Sequence, residues 1–251
     1  MIKGLYTGAA GMLAAQTQSE IIADNVANIR TPGYKGEESS NKAFPEMLMM
    51  RTSTENEISG NTLIGGIGTG VVVDQITRMN VQGVLQTTDI PTDLALTAEG
   101  VFLVVDTPNG ERYTRNGQLQ LNSEGMLQTA DGYPVLGEEG PIGPLSKNFQ
   151  VDAQGGITDQ GVTMDRLRLV QIPAVGLLRE GQSLYASNQP VQDFAGNEAV
   201  LQGTLEGSNV NLPGQMVKMI TVMRAYEANQ KVIQTHDATL EKAVNEIGRI
   251  V

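Results

Sequence analysis

The residues of this sequence that could do chemistry are two acidic side chains and a single histidine. Asp89 and Asp93 stand four residues apart, and two carboxylates about 5 to 9.5 Å apart can hydrolyse a glycosidic bond. Nothing selects this pair over others, because 18 acidic residues lie between positions 51 and 205 and the chain has no Trp to stack on a sugar. His236 lies one position before Asp237, a residue of the helical repeat described below. We therefore interpret His236 as a residue on the flank of a helix and not as a catalytic group.

Metal, thiol and phosphate chemistry are disfavoured by the residue inventory. The absence of Cys removes any disulfide framework, thiol nucleophile or sulfur-based zinc site, and one His cannot form a histidine cluster. The glycines from Gly65 to Gly70 are not a phosphate loop, because they lack Gly-Lys-Ser/Thr and lead into a predicted strand instead of a helix. We therefore predict a protein that is not an enzyme and has no catalytic residue, cofactor or metal.

The net charge of −11 over 251 residues is concentrated in the middle of the chain. Residues 51–205 carry 8 basic and 18 acidic side chains, whereas residues 1–50 carry 4 and 5, and residues 206–251 carry 5 of each. An acidic chain with few aromatic residues is a poor partner for nucleic acid. Nearly neutral ends are suited to close contact between copies of the chain, because like charge does not accumulate there.

The middle region has the pattern of short antiparallel strands joined by tight turns. Most of its glycines lie between Gly60 and Gly207, and Asn109-Gly110 between two apolar runs is a strong hairpin signal. A weak repeat relates residues 121–127 to residues 151–157. We predict an antiparallel meander here and an α+β fold overall, with residues 70–211 as a β-rich, acidic outer domain and residues 31–69 as an extended linker.

The two ends have helical periodicity. A 4-3 pattern runs from Leu5 to Val26 and stops at Thr31-Pro32, and it includes Ala9, Met12, Gln16, Ser19 and Ala23. At the other end a seven-residue repeat includes Met219, Tyr226, Ile233, Leu240 and Ile247, with Met216, Met223, Gln230, Asp237 and Val244 between them. We predict helices in residues 1–30 and 212–251 that pair as a coiled coil.

The second predicted helix is too long for the central domain to cover. At about 1.5 Å per residue, residues 213–250 of this helix span about 57 Å, against about 30 to 40 Å for a compact domain of 150 residues. The alternative, in which both helices pack only on the central sheet, stays open. Met47–Met50 is interpreted as a local core under a loop, with an anchor for a neighbouring subunit as the alternative.

No segment is predicted to cross a membrane or to be cleaved as a signal peptide. No apolar run reaches the about 18 residues that a span requires. Residues 4–15 follow Lys3 as a signal peptide would, but Thr, Gly and Gln dilute them and the helical pattern continues past any cleavage point.

Both ends also carry motifs that resemble the bacterial flagellar rod and hook proteins. At the first end the motif is Asn25-Val-Ala-Asn-Ile-Arg-Thr-Pro-Gly-Tyr-Lys35. At the second end the motifs are Glu206-Gly-Ser-Asn-Val-Asn211 and Arg224-Ala-Tyr-Glu-Ala-Asn-Gln-Lys231. The resemblance extends over nearly the whole chain, and it is greatest to the distal rod members and then to the proximal ones.

The resemblance implies a structural subunit of the flagellar basal-body rod, which polymerises helically through its terminal helices and carries motor torque to the hook. Its implied partners are copies of itself, other rod and hook subunits and the flagellar type III export apparatus. It implies a place in the basal body within the periplasm or cell wall, reached without a cleaved signal peptide. A hook-type subunit, or another extracellular tube or fibre subunit of the adhesin or phage-tail type, is the alternative.

The predicted assembly residues lie in the helices and the two end motifs. They are Leu5, Met12, Asn25, Val26, Asn28, Thr31, Gly33, Tyr34, Ser208, Asn209, Asn211, Met219, Arg224, Tyr226, Asn229, Ile233, Leu240 and Ile247. Asn25 and Asn28 could instead cap the helix end. Arg224 could instead pair with Glu227 on the surface of its own helix.

Overall fold

The computed structural model describes residues 2–45, 47–51, 62–173, 176–181, 183–194, 196 and 199–247. Over these residues the chain forms a helix at each end and a strand-rich region between them. The chain divides into two compact units. We call Met1–Asp24, Glu37–Thr77 and Pro213–Val251 the helical unit, and Asn25–Gly36 with Arg78–Leu212 the strand unit.

The two helices agree with the sequence periodicity. Helix α1 covers Ile2–Ala27 and ends before Thr31-Pro32, and α2 covers Leu212–Ile247. Pro213 is the second residue of α2, where its missing N–H leaves no helical hydrogen bond unmade. With 36 residues, α2 is about 54 Å long.

The helical unit also contains two pairs of strands. Strand β1 (Glu37–Ala43) pairs with β4 (Val71–Arg78), and β2 (Met47–Arg51) pairs antiparallel with β3 (Thr62–Ile67). Residues 37–51 and 62–69, predicted as an extended linker, therefore include paired strands. The side chains of Met47–Met50 lie outside the described residues, so their interpretation as a local core stays a prediction.

The strand unit is built around a sheet of six strands. Its strands, in spatial order, are β15 (Leu177–Glu180), β16 (Leu184–Ser187), β8 (Gly110–Thr114), β7 (Val101–Thr107), β14 (Leu169–Gln171) and β17 (Gln192–Asp193). Consecutive side chains of β7 point to opposite faces. Leu103 packs in one core cluster and Val104 in another, and both are fully buried. The core therefore lies on both sides of this sheet.

The predicted Asn-Gly hairpin is confirmed. Strands β7 and β8 pair antiparallel, and Thr107 stands opposite Gly110. The connection is therefore a two-residue turn of Pro108 and Asn109. Gly110 has a φ of 96°, a region that glycine adopts without steric cost.

The weak internal repeat corresponds to two turns of the same construction. Strands β9 (Leu119–Leu121) and β10 (Leu127–Thr129) flank the first turn, and β11 (Gln150–Val151) and β12 (Gly156–Asp159) flank the second. Asn122 Oδ1 accepts hydrogen bonds from the N–H groups two and four residues later, at 2.9 and 2.8 Å. Asp152 Oδ1 does the same at 2.9 and 2.7 Å. The two segments of the repeat therefore form the same type of turn.

The remaining strands of the strand unit form short pairings. They are β13 (Val162–Arg166) beside β12, β5 (Leu85–Thr87) with β19 (Thr204–Glu206), and β6 (Leu94–Leu96) with β18 (Val200–Gln202). The last two pairs join residues that are more than 100 positions apart in the sequence. The end of the strand unit's chain is thereby tied to its beginning.

The less exposed face of α2 differs in part from the predicted heptad seam. Met219, Ile233 and Leu240 lie on this face. Met216 and Met223, predicted to complete the seam, are each 55% exposed. The predicted places of Met216 and Met223 on this face are therefore wrong. The face is completed by residues three positions after Met219, Tyr226, Ile233 and Leu240. These residues are Val222, Asn229, His236 and Ala243, together with Gln215 at the start of the helix.

Glycines of α1 explain which face of α2 is covered. A Cβ atom on Gly8 would lie 3.0 Å from Ile233 Cγ1, and one on Gly11 would lie 2.7 Å from Asn229 Nδ2. Side chains of α2 therefore lie directly against the backbone of α1. Glycine does not contribute to a hydrophobic pattern, so the periodicity of the sequence could not predict this contact face.

Two further sequence interpretations are corrected by these contacts. His236 is not a helix flank, because its ring occupies the space that a Cβ atom on Gly4 would need. Ala9, Gln16 and Ala23, which the pattern placed on the seam of α1, are exposed. The stripe of α1 that faces α2 begins one residue earlier, at the glycines.

Candidate assembly interface

Helix α2 carries a second apolar face in addition to the one against α1. Met216, Ile220 and Met223 are 55%, 52% and 55% exposed. Their spacing of four and three residues places them on one side of the helix. We call these three residues the outer stripe. Contiguous apolar side chains at a surface are typical of a contact site for another molecule.

Helix α1 also exposes large apolar side chains. Tyr6 is 71% exposed and Leu13 is 66% exposed, and their seven-residue spacing places both on one face. The predicted assembly residues Leu5 and Met12 immediately precede them and are half-buried, as is Val26. The more exposed face of α1 is therefore displaced by one residue from the predicted one.

The predicted residues of α2 have different environments. Asn229, Ile233 and Leu240 lie on the less exposed face described above. Arg224 is exposed, and Tyr226 is partly exposed and lines a groove between α1 and α2. The side chain of Ile247 lies outside the described residues.

Met219, one of the predicted residues of α2, contacts a polar side chain of α1. Its Sδ atom lies 3.3 Å from the hydroxyl oxygen of Ser19. A thioether sulfur is a weak acceptor, so this hydrogen bond adds little to the packing. The contact shows that the two helices approach each other near the start of α2 as well as at its glycine contacts.

The predicted residues that follow α1 form hydrogen bonds within the strand unit. The Tyr34 hydroxyl lies 3.2 Å from Asn25 Oδ1, and Asn25 is 1% exposed. Thr31 Oγ1 donates to Asn28 Oδ1 at 3.2 Å. The Gly33 N–H donates to the backbone oxygen of Glu206 at 2.7 Å. The two asparagines therefore have intrachain partners near the helix end.

The predicted residues that precede α2 are bonded in the same way. Asn209 Oδ1 accepts a hydrogen bond from the Gly36 N–H at 2.8 Å. Asn209 Nδ2 donates to the backbone oxygens of Met79 and Val81 at 2.7 and 3.0 Å. Ser208 Oγ accepts the Val210 N–H at 3.3 Å, and Asn211 immediately precedes α2. A role of these residues between subunits stays a prediction.

A buried group of three charges joins the two end motifs. Glu206 Oε1 lies 2.6 Å from Lys35 Nζ, and Glu206 Oε2 lies 2.6 Å from Arg115 Nε. Their side chains are at most 3% exposed. We call these three residues the ion cluster. Two cations share one carboxylate, so the cluster has a net positive charge in a buried setting.

Backbone oxygens accept further hydrogen bonds from both cations of the ion cluster. Arg115 donates to the backbone oxygens of residues 96, 98 and 101 at 3.0 to 3.1 Å. Lys35 Nζ also donates to the Val81 oxygen at 2.9 Å. Burial lowers the pKa of Lys35, and the hydrogen bond with Glu206 opposes that shift.

Sequence reasoning did not assign a role to the ion cluster. Lys35 and Glu206 lie in the two end motifs, but Glu206 is 171 residues from Lys35 and 91 residues from Arg115. A pairing over such distances leaves no local pattern. The contact glycines Gly4, Gly8 and Gly11 were missed for the different reason that they contribute no hydrophobic signal.

The carboxylates considered for glycoside chemistry have structural environments. Asp93 is buried, and its Oδ2 accepts a hydrogen bond of 2.7 Å from Thr88 Oγ1. Asp89, four residues before Asp93, adopts a positive φ of 58°. In the described part of the chain, no three His, Cys, Asp or Glu residues are grouped to hold a metal ion. None of the described helices is long and apolar enough to span a bilayer.

Three segments match sequence profiles of known protein families. Residues 5–35 match "Flagella basal body rod protein", residues 95–174 match "Flagellar hook protein FlgE/F/G D1 domain", and residues 201–246 match "Flagellar basal body rod FlgEFG protein C-terminal". The first and third segments contain the two end motifs, and the second contains the central strands β7 and β8.

Relatives match over whole chains. The flagellar hook-basal body complex protein FlhO of Bacillus subtilis is 36% identical, with 100% of both chains covered. The flagellar basal-body rod protein FlgG of Buchnera aphidicola is 35% identical over 96% of this chain and 98% of its own. The flagellar basal-body rod protein FlgF of Caulobacter vibrioides is 32% identical, with 100% of both chains covered.

Proposed function

This chain belongs to the bacterial flagellar basal-body rod and hook protein family, and from that premise we propose that it is a structural subunit of the rod that polymerises helically through its terminal helices. The rod is the shaft that carries motor torque to the hook. Other rod and hook subunits are its neighbours in the axial structure. The chain acts by forming contacts, and no step of chemistry is required of it.

The observation that carries the proposal is the apolar surface of α2 on two of its faces. One face packs on the glycines of α1 through Asn229, Ile233 and His236. The outer stripe remains exposed in the single chain. Covering each of its large apolar side chains is worth about 1.5–3 kcal/mol at full burial. Contact with a second copy is the way to bury the stripe in a self-assembling family.

We propose that α1 and α2 pair as a coiled coil within each subunit. The close approach of Gly8 to Ile233 and of Gly11 to Asn229 supports this pairing. The inner positions of α2 alternate by four and three residues, which is the spacing of a coiled-coil seam. A paired α1 and α2 can present Tyr6, Leu13 and the outer stripe to neighbours.

The charge distribution is compatible with this arrangement. The last 46 residues, 206–251, have no net charge, whereas residues 51–205 carry −10. Helices that meet copies of themselves avoid accumulating like charge, and an acidic strand unit remains compatible with solvent. Head-to-tail contacts that do not close into a ring generate an open helical assembly.

The proposed location is the basal body within the periplasm or cell wall. Export through the flagellar type III apparatus is part of the proposal. Cells that lack the protein should assemble the inner-membrane ring but fail to build hooks and filaments. Normal swimming of such cells would show that the chain is not a required rod subunit.

The outer stripe can be tested with one substitution and a matched control. Met223→Asp should stop polymerisation, because a carboxylate buried without a partner at a subunit contact costs several kcal/mol. The monomer should be unaffected within about 0.5 kcal/mol, because Met223 is exposed in the single chain. Sedimentation and electron microscopy measure assembly, and circular dichroism measures folding.

The control is Thr239→Asp, which places the same charge at an exposed polar position on a different side of α2 from the outer stripe. It should leave polymerisation intact. Rods formed by the Met223→Asp chain would show that the outer stripe is not a subunit contact.

A further inference from the structure

We infer that Lys35, Arg115 and Glu206 form a clasp that holds the segment following α1 to the segment preceding α2, and that assembly requires this clasp although none of its charged groups is at the surface. The claim that these residues form a clasp concerns the single chain. The claim that assembly requires the clasp, which is the second half of the inference, rests on the proposed rod function. The clasp is a positioning device, because it acts on the subunit contacts through the segments that it holds.

The carboxylate of Glu206 is the point at which three distant segments meet. Its Oε1 accepts hydrogen bonds from Lys35 Nζ at 2.6 Å and from the Gly83 N–H at 2.9 Å, and its Oε2 accepts from Arg115 Nε at 2.6 Å. Every one of these partners comes from a different part of the strand unit. One side chain therefore fixes their mutual positions.

The backbone around Glu206 is packed so closely that two glycines are required. A Cβ atom on Gly33 would collide with the Arg115 oxygen, and one on Gly83 would collide with the Gly207 oxygen. Gly33 also has a φ of 69°, which a side chain rarely adopts. These segments have no room to shift independently. A change at the carboxylate is thus expected to move the backbone and not only a side chain.

The electrostatics of the cluster make Glu206 its essential member. Without this carboxylate, two cations remain buried at 2–3% side-chain exposure. Removing one partner of a buried ion pair is strongly destabilising because the remaining charge is uncompensated. Removing Lys35 is different, since it leaves Arg115 and Glu206 as a balanced pair. The clasp therefore predicts a large effect at Glu206 and a smaller effect at Lys35.

Amide hydrogen exchange of the purified full-length chain tests the clasp. Glu206→Gln should speed exchange at the Gly33, Gly36 and Gly83 N–H groups about 100-fold or more, since the local opening that exposes them becomes cheaper. The reference is the Leu136 N–H, which bonds the Val104 oxygen at 2.9 Å in the core sheet. Its exchange should change less than about threefold.

The control variant is Glu180→Gln, which removes the partner of Arg112 in an ion pair of the same 2.6 Å length but with Glu180 47% exposed. It should leave exchange at all four amides unchanged. Equal acceleration of the three clasp amides and of Leu136 by Glu206→Gln would overturn the inference, because the cluster would then support only global stability. Unchanged exchange at the clasp amides would overturn it as well.

Lys35→Met keeps the test decisive if the Glu206→Gln chain is recovered only unfolded. This variant retains the Arg115–Glu206 pair, and we expect exchange at Gly33 and Gly83 to rise about tenfold while Leu136 stays unchanged. No change at Gly33 and Gly83 would refute the clasp.

Assembly of hooks in cells tests the second half of the inference. Cells with Lys35→Met or Glu206→Gln should show fewer hooks than cells with Glu180→Gln, at equal amounts of folded protein. Normal hook numbers, with the exchange change present, would refute the link to assembly and leave the clasp intact. Normal hooks in cells without the protein would refute the proposed function, whereas the exchange result would still decide the clasp.

Discussion

The strand unit contains a hydrophobic core of its own, whereas the described part of the helices buries few apolar side chains. Val101–Val105 of β7 are all buried, with side chains in clusters on both faces of the sheet. In the helices, Tyr6, Leu13 and the outer stripe are each more than half exposed. The strand unit therefore has a core formed within its own chain, although Val81 and Val84 are exposed, and the helices present apolar surface to which another molecule can bind.

The same contrast is found in the ion pairs of the two units. Lys35–Glu206 in the strand unit and Lys218–Glu38 in the helical unit both have N–O distances of 2.6 Å. The first pair is at most 3% exposed, and the second is at least 51% exposed. An exposed pair is worth about 0–1 kcal/mol, whereas breaking a buried one costs about 3–5 kcal/mol. Distance alone does not tell how much a pair contributes.

The largest effect is expected from a charge in the core of the strand unit. Val104 is fully buried, so Val104→Asp should lower the free energy of unfolding by more than about 4 kcal/mol, because an unpaired carboxylate has no partner there. Thermal unfolding followed by the β signal of circular dichroism measures this. If Val104→Asp lowered the free energy of unfolding by no more than the about 0.5 kcal/mol expected for Met223→Asp, the proposed difference between the two units would be wrong.

An intermediate effect is expected at the helix contact. Gly11→Leu should destabilise the pairing of α1 with α2 by about 1–2 kcal/mol, because the clash with Asn229 outweighs the gain of about 1 kcal/mol in helix propensity. The control is Ala9→Leu at an exposed position of α1. Thermal melting of the helical signal distinguishes them, and equal melting temperatures would show that the glycine stripe is not a contact.

The smallest effect concerns Asp159, the last residue of β12 in the strand unit. Hydrogen bonds from the Ser146 hydroxyl and N–H hold the pKa of Asp159 below its ordinary value of 3.8. Its contribution to stability is therefore complete above the ordinary pKa and is lost as pH falls through the lowered one. Ser146→Ala should raise the pKa of Asp159 towards 3.8 in an NMR titration. An unchanged pKa would contradict this cause, and the cores of both units should not respond.

Local patterns predicted much of the fold. The Asn109-Gly110 hairpin, both helices and the paired turns at Asn122 and Asp152 are present in the structure. Each of these features depends on residues within a few positions of one another. The predicted division into residues 1–30 with 212–251, 31–69 and 70–211 stays a prediction, and the compact units separate instead near residues 24, 36, 77 and 212.

The assembly surface was predicted only in part. The heptad repeat placed both sets of apolar residues on one seam of α2, and periodicity could not tell which of the two sets lies nearer to α1. Contact with Gly8 and Gly11 decides it, and the outer stripe is what remains exposed. Glycine carries no side chain, so its role in bringing two helices together depends on a partner that local sequence does not contain.

By itself the sequence determined the types of the elements, the acidic middle with neutral ends, and the family. These properties follow from composition and from short-range spacing, in which backbone propensity and side-chain alternation act locally. Only the tertiary structure decided that Glu206 meets Lys35 and Arg115, which are 171 and 91 residues away. The physical reason is that an ion pair between distant segments depends on how the whole strand unit folds and brings those segments together. No local sequence pattern specifies that tertiary contact.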